Sequence, residues 1–113
     1  MTIQEELFAL QDREYADFQS SLVPTVSRQT FIGVRVPQLR KLAKRMGKVR
    51  EKQMQEQRQD FMQALPHSYY DENMLHSLLV SEISNFDTCI SALDAFLPYV
   101  DNWAVCDILS PRV

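Results

Sequence analysis

A tryptophan and an aspartate stand four residues apart near the end of the chain, at Trp103 and Asp107. Residues at this spacing on a helix share one face, so the ring and the carboxylate would line the same surface. An aromatic face and an ionised carboxylate both favour a cation or a developing positive charge. The same spacing is also typical of a packed tryptophan beside a surface aspartate, because any amphipathic helix produces such pairs.

A cluster of basic residues is the second candidate for chemistry. Eight of the twelve Lys and Arg residues lie between positions 35 and 52, and residues 35–59 carry a net charge of +7 although the whole chain carries −3. Such a cluster is either a solvated helix face or a contact for the phosphates of a nucleic acid. No aromatic residue is interleaved with it, so a stacking platform for single strands is not expected.

The segment before the basic helix strengthens the phosphate interpretation. A loop around Gly33 precedes the first turn of that helix, whose free N–H groups attract anions. The candidate DNA-binding residues are Gly33, Arg35, Arg40, Lys41, Lys44, Arg45 and Lys48.

Other kinds of site find no support in the sequence. His67 and His76 have no further ligands at metal-binding spacing, and a catalytic thiol is not expected at Cys106 because the neighbouring Asp107 would not lower its pKa. Neither a glycine-rich phosphate loop nor a Ser/His/Asp order is present. We therefore predict no metal and no cofactor.

The location of the protein also follows from composition. No apolar run approaches the roughly 20 residues that a membrane helix needs, and the N-terminus lacks the pattern of a secretory signal. Two cysteines, Cys89 and Cys106, make no disulfide framework and favour free thiols. These observations predict a cytoplasmic protein that does not span a membrane.

The elements that position these residues are predicted to be helices, because apolar residues recur at three- and four-residue spacing. Thr2 and Glu5 form a capping box for the first helix, and Asp12 begins a second helix. The apolar side of that second helix is formed by Tyr15, Phe18 and Leu22. A loop over residues 23–36 is predicted to follow.

The basic helix is predicted to have Pro37 in its first turn and Gly47 as its C-terminal stop. Its apolar stripe consists of Leu39, Leu42, Ala43 and Met46. A polar helix is predicted over residues 51–65 and an amphipathic one from about residue 71 to 83. Asp87 can cap the next helix, and the residues predicted to face inward from it are Ile90, Leu93, Phe96, Leu97 and Val100.

The last predicted helix carries Trp103 and Asp107 and is capped by Asp101 or Asn102. Helices that begin near residues 71, 87 and 102 have the size of the hairpins in helical-repeat proteins. We therefore expect an all-α fold, with antiparallel helix pairs stacked as a HEAT-like α-solenoid in a single domain over residues 1–113. A repeat stack normally ends in a polar helix. The apolar segment WAVCDILS near the end therefore predicts that the chain is the N-terminal half of a longer protein. Alone, the 113-residue chain is expected to expose this segment and to self-associate through residues 100–113.

Two segments resemble a known family. FIGVRVPQLRKLAKRM, residues 31–46, is similar to the N-terminal signature of the HEAT-like-repeat alkylpurine DNA glycosylases, the AlkD type of DNA alkylation repair protein. VDNWAVCD, residues 100–107, is similar to the segment that holds the catalytic tryptophan and aspartate of that family. The order and spacing of the two segments also fit, and the resemblance covers nearly the whole chain. A typical member is about twice this length, so the chain resembles the N-terminal half of the family and is expected to be inactive alone.

The resemblance implies a curved helical stack whose concave basic face holds duplex DNA. It further implies excision of cationic lesions such as 3-methyladenine or 7-methylguanine, without flipping the base into a deep pocket. By the resemblance Trp103 would be the aromatic wall against the lesion nucleotide and Asp107 the catalytic carboxylate, with Gly33 and Arg35 near the DNA backbone. Two other functions stay open: a helical-repeat module that binds nucleic acid without chemistry, and a scaffold whose basic helix meets an acidic protein.

Overall fold

The structure is a computed structural model that describes residues 2–48, 52–100, 102 and 105. Six α-helices occupy these residues, and they contain no strand, so the predicted all-α class is confirmed. The helices are α1 (Ile3–Ala9), α2 (Arg13–Leu22), α3 (Val36–Lys48), α4 (Lys52–Gln63), α5 (Tyr70–Ser81) and α6 (Phe86–Phe96). Short 3₁₀ turns cover Arg28–Thr30 and Leu97–Tyr99.

Side chains that accept backbone N–H groups fix most of the helix starts. The capping box of Thr2 and Glu5 is present, and the Asp12 carboxylate accepts the N–H of Tyr15 at 3.1 Å. The prediction that Asp87 caps α6 is wrong, because Asn85 does so and accepts the N–H of Thr88 at 2.9 Å. An amide oxygen two residues earlier performs the same function as the predicted carboxylate.

Two predicted helix ends also require correction. Gly47 does not stop α3, since Lys48 is still helical and Gly47 has no positive φ. The polar helix α4 ends at Gln63, two residues before the predicted limit, and the predicted first residue, Glu51, lies outside the described residues.

The helices form two layers around α5. Helices α3 and α5 pack against each other more extensively than any other pair, through a buried row that includes Leu39, Leu42, Leu75 and Leu78. Helices α4 and α6 lie on either side of a cleft of about 720 Å³ whose floor includes His76 and other residues of α5. This arrangement is compatible with an α-solenoid-like helical repeat.

Helix α5 is buried on nearly all sides, and its polar side chains are used inside the protein. The Glu72 carboxylate accepts the N–H of Tyr69 at 3.1 Å, and the Ser77 hydroxyl donates to the carbonyl of Val105 at 3.3 Å. The fully buried Asp71 accepts the N–H groups of Ile32 at 2.7 Å and Val34 at 2.8 Å, with that of Gly33 at 3.4 Å. One carboxylate on α5 therefore holds the loop that leads into α3.

The apolar faces of two helices differ from the prediction. On α6, Phe96 is buried with Cys89, but Ile90 and Leu97, which were predicted to face inward, are 39% and 44% exposed. On α2, Phe18 and Leu22 are exposed, and the buried positions are Ala16 and Gln19. The spacing predicts a helix correctly in both cases, but it cannot show which of two apolar sides faces the core.

Replacing Asp71 with Asn tests the role of this carboxylate. The amide NH₂ cannot accept a hydrogen bond, so at least one buried backbone N–H loses its charged acceptor. We expect the free energy of unfolding to fall by about 2–4 kcal/mol, measured by urea denaturation. Asp87→Asn, the same change at an exposed residue, should shift it by less than about 0.5 kcal/mol. Equal effects of the two variants would contradict the assignment.

Candidate nucleic-acid interface

The exposed side of α3 carries the predicted basic residues, because its opposite side packs on α5. Arg40, Lys44 and Lys48 recur every four residues along this exposed side, and Lys41 lies beside them. None of the four has a hydrogen bond or ion pair within the described part of the chain. Like charges four residues apart destabilise a helix, so this surface has unbalanced positive charge that an anion would relieve.

The two remaining arginines of the candidate site are engaged by acids of the first two helices. The Arg35 guanidinium is 3.0 Å from the Asp12 carboxylate, and its Cζ lies 4.7 Å from the centroid of the Tyr15 ring. The Arg45 guanidinium is 2.8 Å from the Glu6 carboxylate. First the N–H of Tyr15 and then the Arg35 guanidinium lower the pKa of Asp12, so Asp12 is ionised at neutral pH.

Gly33 is buried beneath this corner of the protein. Its φ is +92°, and a Cβ at this position would lie 2.1 Å from the carbonyl oxygen of Asp12. Its own carbonyl accepts the N–H of Asp12 at 3.0 Å. The N–H groups of residues 32–34, in the loop before α3, face the carboxylate of Asp71 and are not free for a phosphate. Anion binding at the first turn of α3, which the sequence suggested, stays a prediction. A direct contact between Gly33 and DNA stays a prediction.

The predicted catalytic pair, Trp103 and Asp107, lies outside the described residues. The described residues nearest to this pair are Asn102 and Val105. Asn102 accepts the N–H of Val105 at 2.9 Å, as expected for the cap of the predicted last helix. Val105 is 1% exposed, and its carbonyl accepts from Ser77 of α5. Helix α5 thus contacts both the basic helix α3 and Val105, which lies between the two candidate catalytic residues in the sequence.

Sequence reasoning missed the aromatic residues near the basic helix. Tyr15 lies beneath Arg35, and the Phe18 ring, 51% exposed, is 6.4 Å from that of Tyr15 between centroids. These residues are about twenty positions before the basic cluster, so a search for interleaved aromatics within the cluster could not find them. The one signal in the sequence for these aromatics was the helix cap Asp12, which Tyr15 and Phe18 follow on the same helix.

The cleft between α4 and α6 has a different character. The α4 residues on its wall include the uncharged amides Gln59 and Gln63, together with Arg58, which donates to the carbonyl of Met46 at 2.8 Å. The α6 wall consists of small residues such as Ala92 and Ala95. The uncharged amides and small residues of this cleft provide little of the positive charge that a phosphate backbone requires.

A comparison with models of known protein families gave a match over nearly the whole chain. A model of the family described as DNA alkylation repair enzyme matches residues 3–113. The chain belongs to this family. Searches of curated proteins and of solved structures gave no significant match. None of the helices in the described ranges is long and apolar enough to cross a membrane.

The two histidines of this DNA alkylation repair family member form a pair in which His76 is buried and His67 is partly buried. His67 Nε2 lies 2.8 Å from His76 Nδ1, Phe61 stacks on the His67 ring, and Phe96 stacks on the His76 ring. No group of three metal-binding side chains occurs among residues 2–48 and 52–100. Burial lowers the pKa of His67 to about 4, and burial together with the neighbouring His67 lowers the pKa of His76 to about 3. Both rings are therefore neutral at pH 7.

The histidine pair predicts acid sensitivity. In the unfolded chain each ring binds a proton below its ordinary pKa of about 6.5, whereas in the folded protein it does so only below about 3–4. The pair therefore contributes stability above pH 6.5 that is lost as the pH falls towards 3. We expect His67→Phe, which removes one titrating ring, to reduce the slope of unfolding free energy against pH between 6.5 and 4. An unchanged slope in urea denaturation would contradict this account.

Proposed function

We propose that this member of the DNA alkylation repair family acts in the cytoplasm as a DNA glycosylase, which excises cationic N3- or N7-alkylated purines from duplex DNA. The observation that carries the proposal is the row of Arg40, Lys44 and Lys48 on α3, which has no partner within the described residues, in a chain of that family. A row of cations without protein partners suits the evenly spaced phosphates of a duplex. No cofactor or metal is required by this chemistry.

The chemistry of the lesion explains why a single carboxylate would suffice. Alkylation at N3 or N7 makes the purine cationic, so the base is already a good leaving group and needs little general-acid help. An ionised carboxylate then has two tasks, to stabilise an oxocarbenium-like sugar and to position a water molecule. Glycoside hydrolases need a second carboxylate to protonate a poor leaving group, and this reaction does not.

Within this proposal Asp107 is the catalytic carboxylate and Trp103 the aromatic wall against the lesion. A tryptophan face favours a nearby cation by roughly 0.5–2 kcal/mol. Val105, which lies between them in the sequence, is buried, and its carbonyl accepts a hydrogen bond from Ser77 of α5. The basic residues of α3 would hold the duplex, so binding and catalysis would use different parts of the chain.

Asp107→Asn in the complete natural protein tests the proposal. The carboxylate acts on charge that appears mainly in the transition state, so the variant should lose at least about 100-fold in excision rate. Its affinity for duplex DNA should change by less than about threefold. Release of methylated purines from alkylated duplex DNA, with binding followed by fluorescence anisotropy, measures both quantities.

Each outcome separates the proposed function from its alternatives. An Asn variant with full activity would contradict the catalytic assignment. Salt-dependent binding to duplex DNA without base release by the unaltered protein would indicate a nucleic-acid-binding module. Absence of DNA binding, with capture of an acidic protein instead, would indicate a scaffold.

Self-association through residues 100–113 is also proposed. Leu97 and Tyr99, which immediately precede this segment, are 44% and 42% exposed. Contiguous exposed apolar surface tends to acquire a partner. We expect light scattering of this 113-residue chain to show a mass above that of a monomer as concentration rises, and Ile108→Glu, within the segment, to reverse the effect. A strictly monomeric chain at high concentration would contradict this.

A further inference from the structure

The six cations of the candidate interface fall into two classes. Arg40, Lys41, Lys44 and Lys48 have no partner within the described residues, whereas Arg35 and Arg45 each form an ion pair with a carboxylate from the N-terminal helices. The two paired guanidinium groups are both 56% exposed, so solvent and ligands can reach them. The sequence alone places all six in one cluster and does not distinguish them.

Resting on the proposed DNA contact of α3, we propose that Asp12 and Glu6 compete with DNA phosphates for Arg35 and Arg45 and thereby lower the affinity of the protein for duplex DNA. The four unpaired cations then follow the DNA backbone. The two arginines contribute only where a phosphate displaces the carboxylate. Asp12 and Glu6 are therefore affinity-determining residues that do not themselves contact the ligand favourably.

Charge and geometry both support competition at Arg35. Asp12 Oδ2 lies 3.0 Å from an Arg35 nitrogen, while Asp12 Oδ1 accepts the N–H of Tyr15 at the start of α2. The carboxylate is thus held by the backbone of α2, so a phosphate gains Arg35 only when the guanidinium turns away from Asp12. A phosphate that approaches Arg35 meets the negative charge of Asp12, which opposes binding.

The second ion pair joins Arg45 of α3 to Glu6 in the middle of α1. Glu6 Oε1 lies 2.8 Å from an Arg45 nitrogen across a groove between α1 and α3 that Lys41 and Gln38 also line. The Glu6 side chain is only 23% exposed, so it is held between the helices. Lys41, on the same groove, keeps its charge uncompensated within the described residues. The competition therefore acts on individual arginines and leaves the rest of α3 free.

Asp12→Asn is the decisive variant, because asparagine is as good a helix cap as aspartate and keeps the N–H of Tyr15 satisfied. We expect its affinity for a fluorescein-labelled duplex at low salt to rise about two- to fivefold. The slope of log affinity against log salt should steepen by up to about 0.9, one further phosphate contact. Glu6→Gln should act in the same direction. Glu14→Gln, the same charge change on α2 at an exposed residue, is the matched control for the general loss of negative charge.

A double-mutant cycle separates competition from pre-organisation of the arginine. Arg35→Gln should reduce the salt slope little in the unaltered protein and by about 0.9 in the Asp12→Asn background. Lys44→Gln should reduce it by about 0.9 in both backgrounds. Equal effects of Arg35→Gln in the two backgrounds, or weaker binding by Asp12→Asn, would overturn the inference while leaving DNA binding intact. Absence of duplex binding in every variant would overturn the proposed function, and this inference with it.

Discussion

The buried carboxylate of Asp71 is the interaction on which the positions of the other candidate residues depend. It accepts hydrogen bonds from the backbone N–H groups of three successive residues, 32–34. These residues lie outside any helix or sheet that could accept the same N–H groups. Burial raises the pKa of Asp71, and the three N–H groups act in the opposite direction. Because the loop and α5 share this contact, the start of α3 is fixed relative to the helix on which it packs.

The same loop connects the acidic N-terminal helices to the basic helix. Gly33 allows Asp12 to approach within a distance that no side chain would permit, and Asp12 in turn caps α2 and pairs with Arg35. This close backbone approach therefore places Asp12 where it neutralises Arg35. The charge on the surface of α3 therefore depends on the packing of Gly33 and Asp12, which carry no positive charge.

Sequence reasoning recovered the helices and the basic surface but not their mutual contacts. The spacing of Leu39, Leu42 and Met46 predicts the buried side of α3 correctly, because a helix with one apolar side has one way to pack. On α6 the same reasoning failed at Ile90 and Leu97, since that helix has two apolar sides and only tertiary contacts choose between them. The ion pairs of Arg35 and Arg45 join residues 23 and 39 positions apart, a separation that no local pattern reports.

Because the chain belongs to the DNA alkylation repair family and α3 carries the basic residues, we expect α3 to be the surface that binds duplex DNA. An NMR titration of the ¹⁵N-labelled protein with a short duplex tests this claim directly, because each backbone amide reports its own environment. We expect the largest chemical-shift changes at the backbone amides of Lys41, Lys44 and Lys48. The amides of Gln59, Gln63 and Ala92, in the α4–α6 cleft, should be unaffected. Shift changes confined to that cleft, with α3 unperturbed, would contradict it.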